Sequence, residues 1–226
     1  MNWWAQNAWD FNPVFLVAWV FWVLFSIVLH ELGHGVAAIR VGDDTPIYTG
    51  HMTWNPMVHL GPWSLIMFAL FGFCWGAMPV DPSRFRGRFA ETIVAGAGPA
   101  VNLGLFIICV ICAASWETFA SGVADPFYTN MNLFWRAGAM INLMGVIFNL
   151  IPIPPLDGSR IVGDLYPPYN AFLRTEAGNV ASFIGFALLF FVFGGRIWGY
   201  AANYSMMVIG WLSDLLGKLV GSPAVP

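Results

Sequence analysis

The chain has 226 residues, a formal net charge of −3, 58% hydrophobic residues and only 9% charged ones. A soluble domain carries about 25% charged residues, so this composition excludes an ordinary water-soluble fold and puts the chain in a bilayer. Its few cations form no basic patch, which excludes nucleic acid as a partner, and the length suits one membrane-embedded domain over residues 1–226.

In chain order, Met1–Gln6 lacks the positive start of a signal peptide, and Trp3, Trp4 and Trp9 read as interfacial anchors. A first span runs from about Pro13 to Ile39 and ends in water at Arg40, Asp43 and Asp44. Two-thirds of the way along it stands His30-Glu31-Leu32-Gly33-His34. On a helix His30 and His34 lie one turn apart on one face, about 6 Å between their β-carbons, where two imidazoles can share a Zn²⁺ ion. Glu31 projects beside them, placed to take a proton from a water on the metal. Ionisable groups inside an apolar run are costly, and usually functional.

Thr45–Gly61 mixes Gly, Pro, His and β-formers and reads as a short strand-rich loop. Pro62–Val80 is a second apolar segment, interrupted by Gly72 and Gly76, that either crosses the bilayer or enters and leaves on one side. The basic loop Arg84-Phe85-Arg86-Gly87-Arg88 follows. Glu91–Ser115 is a long span carrying Gly96, Gly98, Pro99, Asn102 and Gly104, small residues that permit close helix approach in lipid. Within it Cys109 and Cys112 read as packed thiols. Trp116–Met131 is a loop without Lys or Arg, and Leu133–Ile151 is the next span. It leads into Asn149-Leu150-Ile151-Pro152-Ile153-Pro154-Pro155-Leu156-Asp157-Gly158, where three prolines break the helix. Irregular polar backbone at membrane depth is tolerated only where it lines a protein cavity. Gly178–Gly195 and Ile197–Leu216 read as two last spans joined by a tight turn at Gly194-Gly195-Arg196. The fold class expected is an all-α polytopic membrane protein of about five transmembrane helices, a re-entrant hairpin and a small strand-rich loop.

Topology decides whether the polar ends meet. If every apolar segment crosses, His30 and His34 lie toward the opposite membrane face from Asp157. If Pro62–Val80 is a re-entrant hairpin, the first span and Leu133–Ile151 run parallel and their ends converge. The hairpin also puts seven Lys/Arg residues on the inner face against two outside, in keeping with the positive-inside rule. That arrangement sets the N-terminus outside and the metal nearer the cytoplasm. A hydrolytic zinc takes three protein ligands and leaves a position open. Asp157 is the best third candidate, with Asp164 two helical turns further on; His51 and His59 either approach the metal as oxyanion stabilisers or regulatory ligands or, the favoured reading, are loop histidines at the interface.

With these residues together, the chain resembles the site-2 proteases, zinc intramembrane metalloproteases, in their compact prokaryotic branch without a PDZ domain. The resemblance covers most of residues 25–165. It rests on His30-Glu31-Leu32-Gly33-His34, on Trp54-Asn55-Pro56-Met57-Val58-His59-Leu60-Gly61-Pro62, on Ala97-Gly98-Pro99-Ala100-Val101-Asn102, and on Phe148-Asn149-Leu150-Ile151-Pro152 running to Asp157-Gly158. Gly61 departs from it, standing where relatives often carry Asp. The resemblance implies one zinc ion held by His30, His34 and Asp157, with Glu31 as general base. It places Asn102, Asn149 and Pro152 at positions associated with substrate alignment and active-site geometry. The implied substrate is a transmembrane protein, cleaved within or near a locally unwound helix in the cell membrane. The segment Thr45–Thr53 is expected to offer a strand edge to it. A zinc-binding membrane transporter and a non-catalytic binding protein of the same fold are the competing readings. The spans hold almost no further ligands for a transit path, and the glutamate whose loss would mark a dead relative is present as Glu31.

Overall fold

A computed structural model describes residues 3–221, and the described chain is helical, with no strand among the described residues. Helix α1 (Trp4–Phe11) breaks at Asn12, whose extended backbone and side chain start α2 (Pro13–Arg40): Asn12 Oδ1 accepts from the Val14 N–H at 2.8 Å, and Pro13 occupies the first turn. The indole N–H groups of Trp3 and Trp4 both donate to the Ala69 carbonyl, at 2.9 and 3.0 Å. Part of the expected aromatic anchor therefore faces protein.

The expected strand-rich loop is absent. Thr45–Tyr48 forms a helical turn, α3, and α4 spans Pro56–Phe71. The cause is local capping. Asp43 Oδ1 accepts from the Thr45 N–H at 3.0 Å and from the Thr45 hydroxyl, Asn55 Oδ1 accepts from the Met57 N–H at 3.0 Å, and Pro46 and Pro56 preset the first turns. Helix α4 kinks at Gly61-Pro62 and stops at Gly72.

The chain then returns, without helix, over residues 73–81. Ser64 Oγ accepts from the Trp75 N–H (2.8 Å) and donates to the Trp75 carbonyl (2.6 Å), while the Ala77 N–H donates to His59 O (2.9 Å). The Asp81 N–H reaches Asp43 Oδ2 at 2.7 Å, and the Arg86 N–H reaches Val41 O at 2.8 Å, so the excursion ends beside the point where it left α2. Residues 56–81 thus fold back on themselves as the hairpin reading requires.

Helix α5 (Ala90–Phe119) runs back along α2 and packs against α6 (Phe127–Asn149), which therefore runs parallel to α2. Short helices α7 (Asp157–Leu165) and α8 (Pro167–Leu173) follow the broken segment. The two last spans expected are one element: α9 (Glu176–Leu188), a π-helical turn (Leu189–Phe193) and α10 (Gly194–Val220) form a continuous 45-residue run. Gly194 keeps helical angles (φ −52°, ψ −44°). A glycine pair permits a turn without requiring one, and in an apolar setting continuing the helix satisfies every backbone group. Among the described residues four elements are long and apolar enough to cross a membrane: α2, α5, α6 and the 176–220 run.

Small residues let these helices approach closely. Ala18 and Trp22 of α2, Cys109, Val110 and Ala113 of α5, Ala137 and Ala139 of α6 and Ile209 of α10 form the main buried cluster. Cys109 is fully buried there, as a packed thiol should be. Trp22 Nε1 donates to Phe134 O at 2.9 Å, and Arg136 pairs with Glu117 at 2.7 Å, a carboxylate that also accepts from Ser213. A second cluster joins Ala37, Ala38 and Val41 to Ala90 and Val94, with Val80 of the returning segment against it.

Candidate metal centre

His30 and His34 come from the C-terminal half of α2, and Asp157 is the first residue of α7. The hairpin at 56–81 and the antiparallel α5–α6 pair carry the chain back so that Asp157, 127 and 123 positions beyond His30 and His34, shares one place with them. His30 Nε2 lies 3.2 Å from Asp157 Oδ2, His34 Nε2 lies 3.4 Å from Asp157 Oδ1, and the two Nε2 atoms are 3.0 Å apart. All three residues are buried. They are the group of metal-ligating side chains among the described residues close enough to hold one ion.

The hydrogen bonds behind the rings set what the facing atoms are. His34 Nδ1 sits 2.7 Å from the Val94 carbonyl, which only accepts, so Nδ1 carries the proton and Nε2 keeps a lone pair. His30 Nδ1 sits 2.5 Å from Asn102 Oδ1, with the same result. Two imidazole lone pairs and a carboxylate therefore point at one another, and Asp157 Oδ2 is buried with no donor. Such atoms repel unless a cation lies among them. Four ligands about 2.0–2.1 Å from a tetrahedral zinc are separated by about 3.3 Å, which the observed 3.0–3.4 Å matches, so this donor set fits zinc.

Glycine makes the approach of α5 possible. A β-carbon on Gly98 would collide with His34 Nε2 and with His30 Cε1 and Nε2. The residue resembled a packing glycine in sequence, yet it forms the floor beneath both rings. Glu31 is buried beside His30, and a β-carbon on Gly76 of the returning segment would strike its carboxylate. Residues 73–81 thus pass directly over the glutamate.

Along that segment the N–H groups of Trp75, Ala77 and Asp81 are bonded inward, as described above. Among the described residues the N–H groups of Gly76, Met78 and Val80 have no hydrogen-bond partner. Alternate groups satisfied on one side and free on the other are the signature of an extended edge.

The remaining expected residues fall as follows. Asn102 holds His30, and its Nδ2 donates to Asn142 Oδ1 at 3.0 Å; Asn142, which the sequence reading did not single out, donates onward to Gly138 O at 2.9 Å. Its signal was present, an amide inside an apolar span. Asn149 closes α6 and donates to Gly145 O at 3.0 Å, with no bond to the cluster. Pro152 lies in the broken segment, where its carbonyl accepts from the Tyr169 hydroxyl at 2.7 Å. Asp164 is not near the cluster's donors: it caps α5, accepting from the Thr92 N–H (2.9 Å) and hydroxyl (2.6 Å). His51 bonds within its own loop to Thr49 at 3.0 Å. His59 is buried in α4 and meets Thr53 O at 2.7 Å. Both stay outside the cluster.

A profile of the family described as Peptidase family M50 matches residues 117–192, a stretch that includes Asp157 but not the histidine pair. In Bacillus subtilis (strain 168), the protein named "Putative zinc metalloprotease YwhC" is 37% identical over 175 residues, covering 74% of this chain and 77% of its own length. "Putative zinc metalloprotease Rip2" of Mycobacterium tuberculosis (strain ATCC 35801 / TMC 107 / Erdman) is 32% identical over 216 residues, covering 90% and 75% respectively. "Zinc metalloprotease MJ0392" of Methanocaldococcus jannaschii is 25% identical over 182 residues, covering 80% of this chain and 44% of that protein. No solved structure matches the chain.

Proposed function

The chain belongs to peptidase family M50, the site-2 protease family of zinc metalloproteases, and we propose that it cleaves a peptide bond within or near a transmembrane helix of its substrate. The observation that carries this reading is the convergence of the His30, His34 and Asp157 lone pairs inside a membrane-type helical bundle. One zinc ion per chain would be held by those three side chains. Bound there, zinc supplies Lewis acidity, acidifying water and polarising a peptide carbonyl.

The chain's own residues do the rest. Glu31 accepts the proton of the attacking water and returns it to the nitrogen of the leaving amine. His30 and His34, protonated at Nδ1 and held there by Asn102 and Val94 O, keep their Nε2 atoms turned inward through the cycle. The substrate must unwind locally, because a helical carbonyl is bonded to its own next turn. Unwinding leaves backbone donors and acceptors to be satisfied, and the free edge at Gly76, Met78 and Val80 supplies partners beside Glu31. Asn149, at the end of α6, and Pro152, in the broken segment before α7, serve in shaping the site around that peptide. The protein is a multi-pass protein of the cell membrane with the site toward the cytoplasm, as the Lys/Arg distribution favours.

The test uses detergent-purified protein and a panel of membrane-helix substrates, with zinc measured in every sample. Glu31→Gln is expected to retain zinc and lose cleavage, and full activity in that variant would remove the base. Asp157→Ala is expected to lower zinc content, and undiminished zinc would exclude it as a ligand.

A further inference from the structure

The two metal-facing histidines are fixed by unlike partners. A backbone carbonyl has one polarity, so Val94 O decides the tautomer of His34 alone. An amide side chain has two faces, an oxygen that accepts and a nitrogen that donates. Asn102 could turn either toward His30. If it turned its NH₂, His30 Nδ1 would have to accept, the proton would sit on Nε2, and the ring could not ligate through that atom. Something else must decide which way Asn102 faces.

The deciding group lies two residues further in. Gly138 O is a helix carbonyl of α6 and only accepts, so Asn142 presents its NH₂ to it at 2.9 Å. Asn142 Oδ1 then faces Asn102 and can only accept, which turns the Asn102 NH₂ toward it at 3.0 Å. Asn102 Oδ1 is left for His30. Asn142 is 0% exposed and Asn102 4% exposed, so bulk solvent does not reach these bonds. Packing keeps the chain of bonds in register, since a β-carbon on Gly145 would come within 3.1 Å of Asn102 Nδ2.

We infer that Asn142 is a positioning residue that transmits the polarity of the Gly138 carbonyl through Asn102 and so holds His30 in its metal-binding tautomer. The inference rests on the proposed zinc site. It places control of one ligand on α6, a helix that contributes no ligand itself. Outer partners of ligating histidines typically change metal affinity 10–100-fold.

The experiment compares purified full-length wild type, Asn142→Leu and Asn142→Asp. Zinc affinity is read by chelator competition, and the His30 tautomer by ¹⁵N NMR of the metal-free protein. Wild type should show His30 protonated at Nδ1. Asn142→Leu, which leaves the Asn102 NH₂ without an acceptor, should bind zinc about 10–100-fold more weakly and show a mixed His30 tautomer. Asn142→Asp still offers Asn102 an acceptor and should keep the wild-type tautomer and most of the affinity. Wild-type affinity with an unmixed tautomer in Asn142→Leu overturns the inference, as does a wild-type His30 protonated at Nε2, a measurement that needs no variant to fold. Wild type that binds no zinc while His30 keeps its Nδ1 proton overturns the zinc reading and upholds the relay.

Discussion

Gly98→Ala is a one-carbon perturbation aimed at the floor of the proposed metal site. The added β-carbon would lie 2.5 Å from both Cε1 and Nε2 of His30 and closer still to His34 Nε2. Ordinary carbon contacts are about 3.5 Å, so the rings or α5 must move by about 1 Å. The rings cannot swing freely, because each is tied at Nδ1, and α5 cannot retreat without opening the Val94 and Ala95 packing. Overpacking of this kind costs about 1–3 kcal/mol. The tolerance of a zinc site is about 0.2 Å, so a shift several times larger should abolish stoichiometric binding. Gly96→Ala is the matched control: its nearest neighbour, Ile161 Cδ1, is 4.0 Å from the added carbon. Zinc content by mass spectrometry after purification, with thermal melting in the same detergent, measures both. Stoichiometric zinc in Gly98→Ala, or equal loss in Gly96→Ala, would refute the reasoning.

Two further outcomes follow from the returning segment. Ser64→Ala removes both bonds to Trp75 and loosens the edge over Glu31; losing bonding worth about 1–1.5 kcal/mol should slow cleavage about tenfold with zinc content unchanged, checked by parallel cleavage and metal assays. Asp43 joins α3 to the end of that segment. Burial pushes its carboxyl up, but the Thr45 hydroxyl and the Asp81 and Thr45 N–H groups outweigh burial and hold it below the usual carboxylate range. Stability from a carboxyl depressed in the folded state is present above its unfolded value of about 3.9 and lost as pH falls through the folded one. Melting temperature should therefore drop below about pH 4 in wild type and less steeply in Asp43→Asn, which at neutral pH should already be less stable by about 1–3 kcal/mol; parallel acid melting curves would contradict this.

Much of the candidate site could be read from the sequence because its signals are periodic or covalent. Four positions between His30 and His34 are one helical turn, and three prolines before Asp157 cannot remain helical. The hairpin reading followed from the need to bring Asp157 to the same face as the histidines, and from where the cations lie. What stayed hidden depends on neighbours distant in sequence. Nothing near Gly98 says that two rings rest on it, and nothing near Asn142 names Gly138 O and Asn102 as its partners. The loop at Thr45–Gly61 was misread because β-forming composition yields to capping by Asp43 and Asn55. The pair Gly194-Gly195 was misread because tertiary context left its helical angles undisturbed.

The uninterrupted run from Glu176 to Val220 is 45 residues long, about 68 Å at 1.5 Å per residue, against a hydrocarbon layer of about 30 Å. Lipid can therefore cover less than half of it upright, and the excess must be absorbed by tilt or bending. Its α-helical bonding pattern is interrupted at the π-helical turn Leu189–Phe193, the kind of feature at which long helices kink. Phe190 in that turn packs at a tilt against Phe73, 4.5 Å between ring centres, at the start of the segment that passes over Glu31. If that contact carries bilayer mismatch to the proposed substrate edge, cleavage is expected to vary with lipid chain length, measured in vesicles of graded acyl length; equal rates across them would refute the coupling.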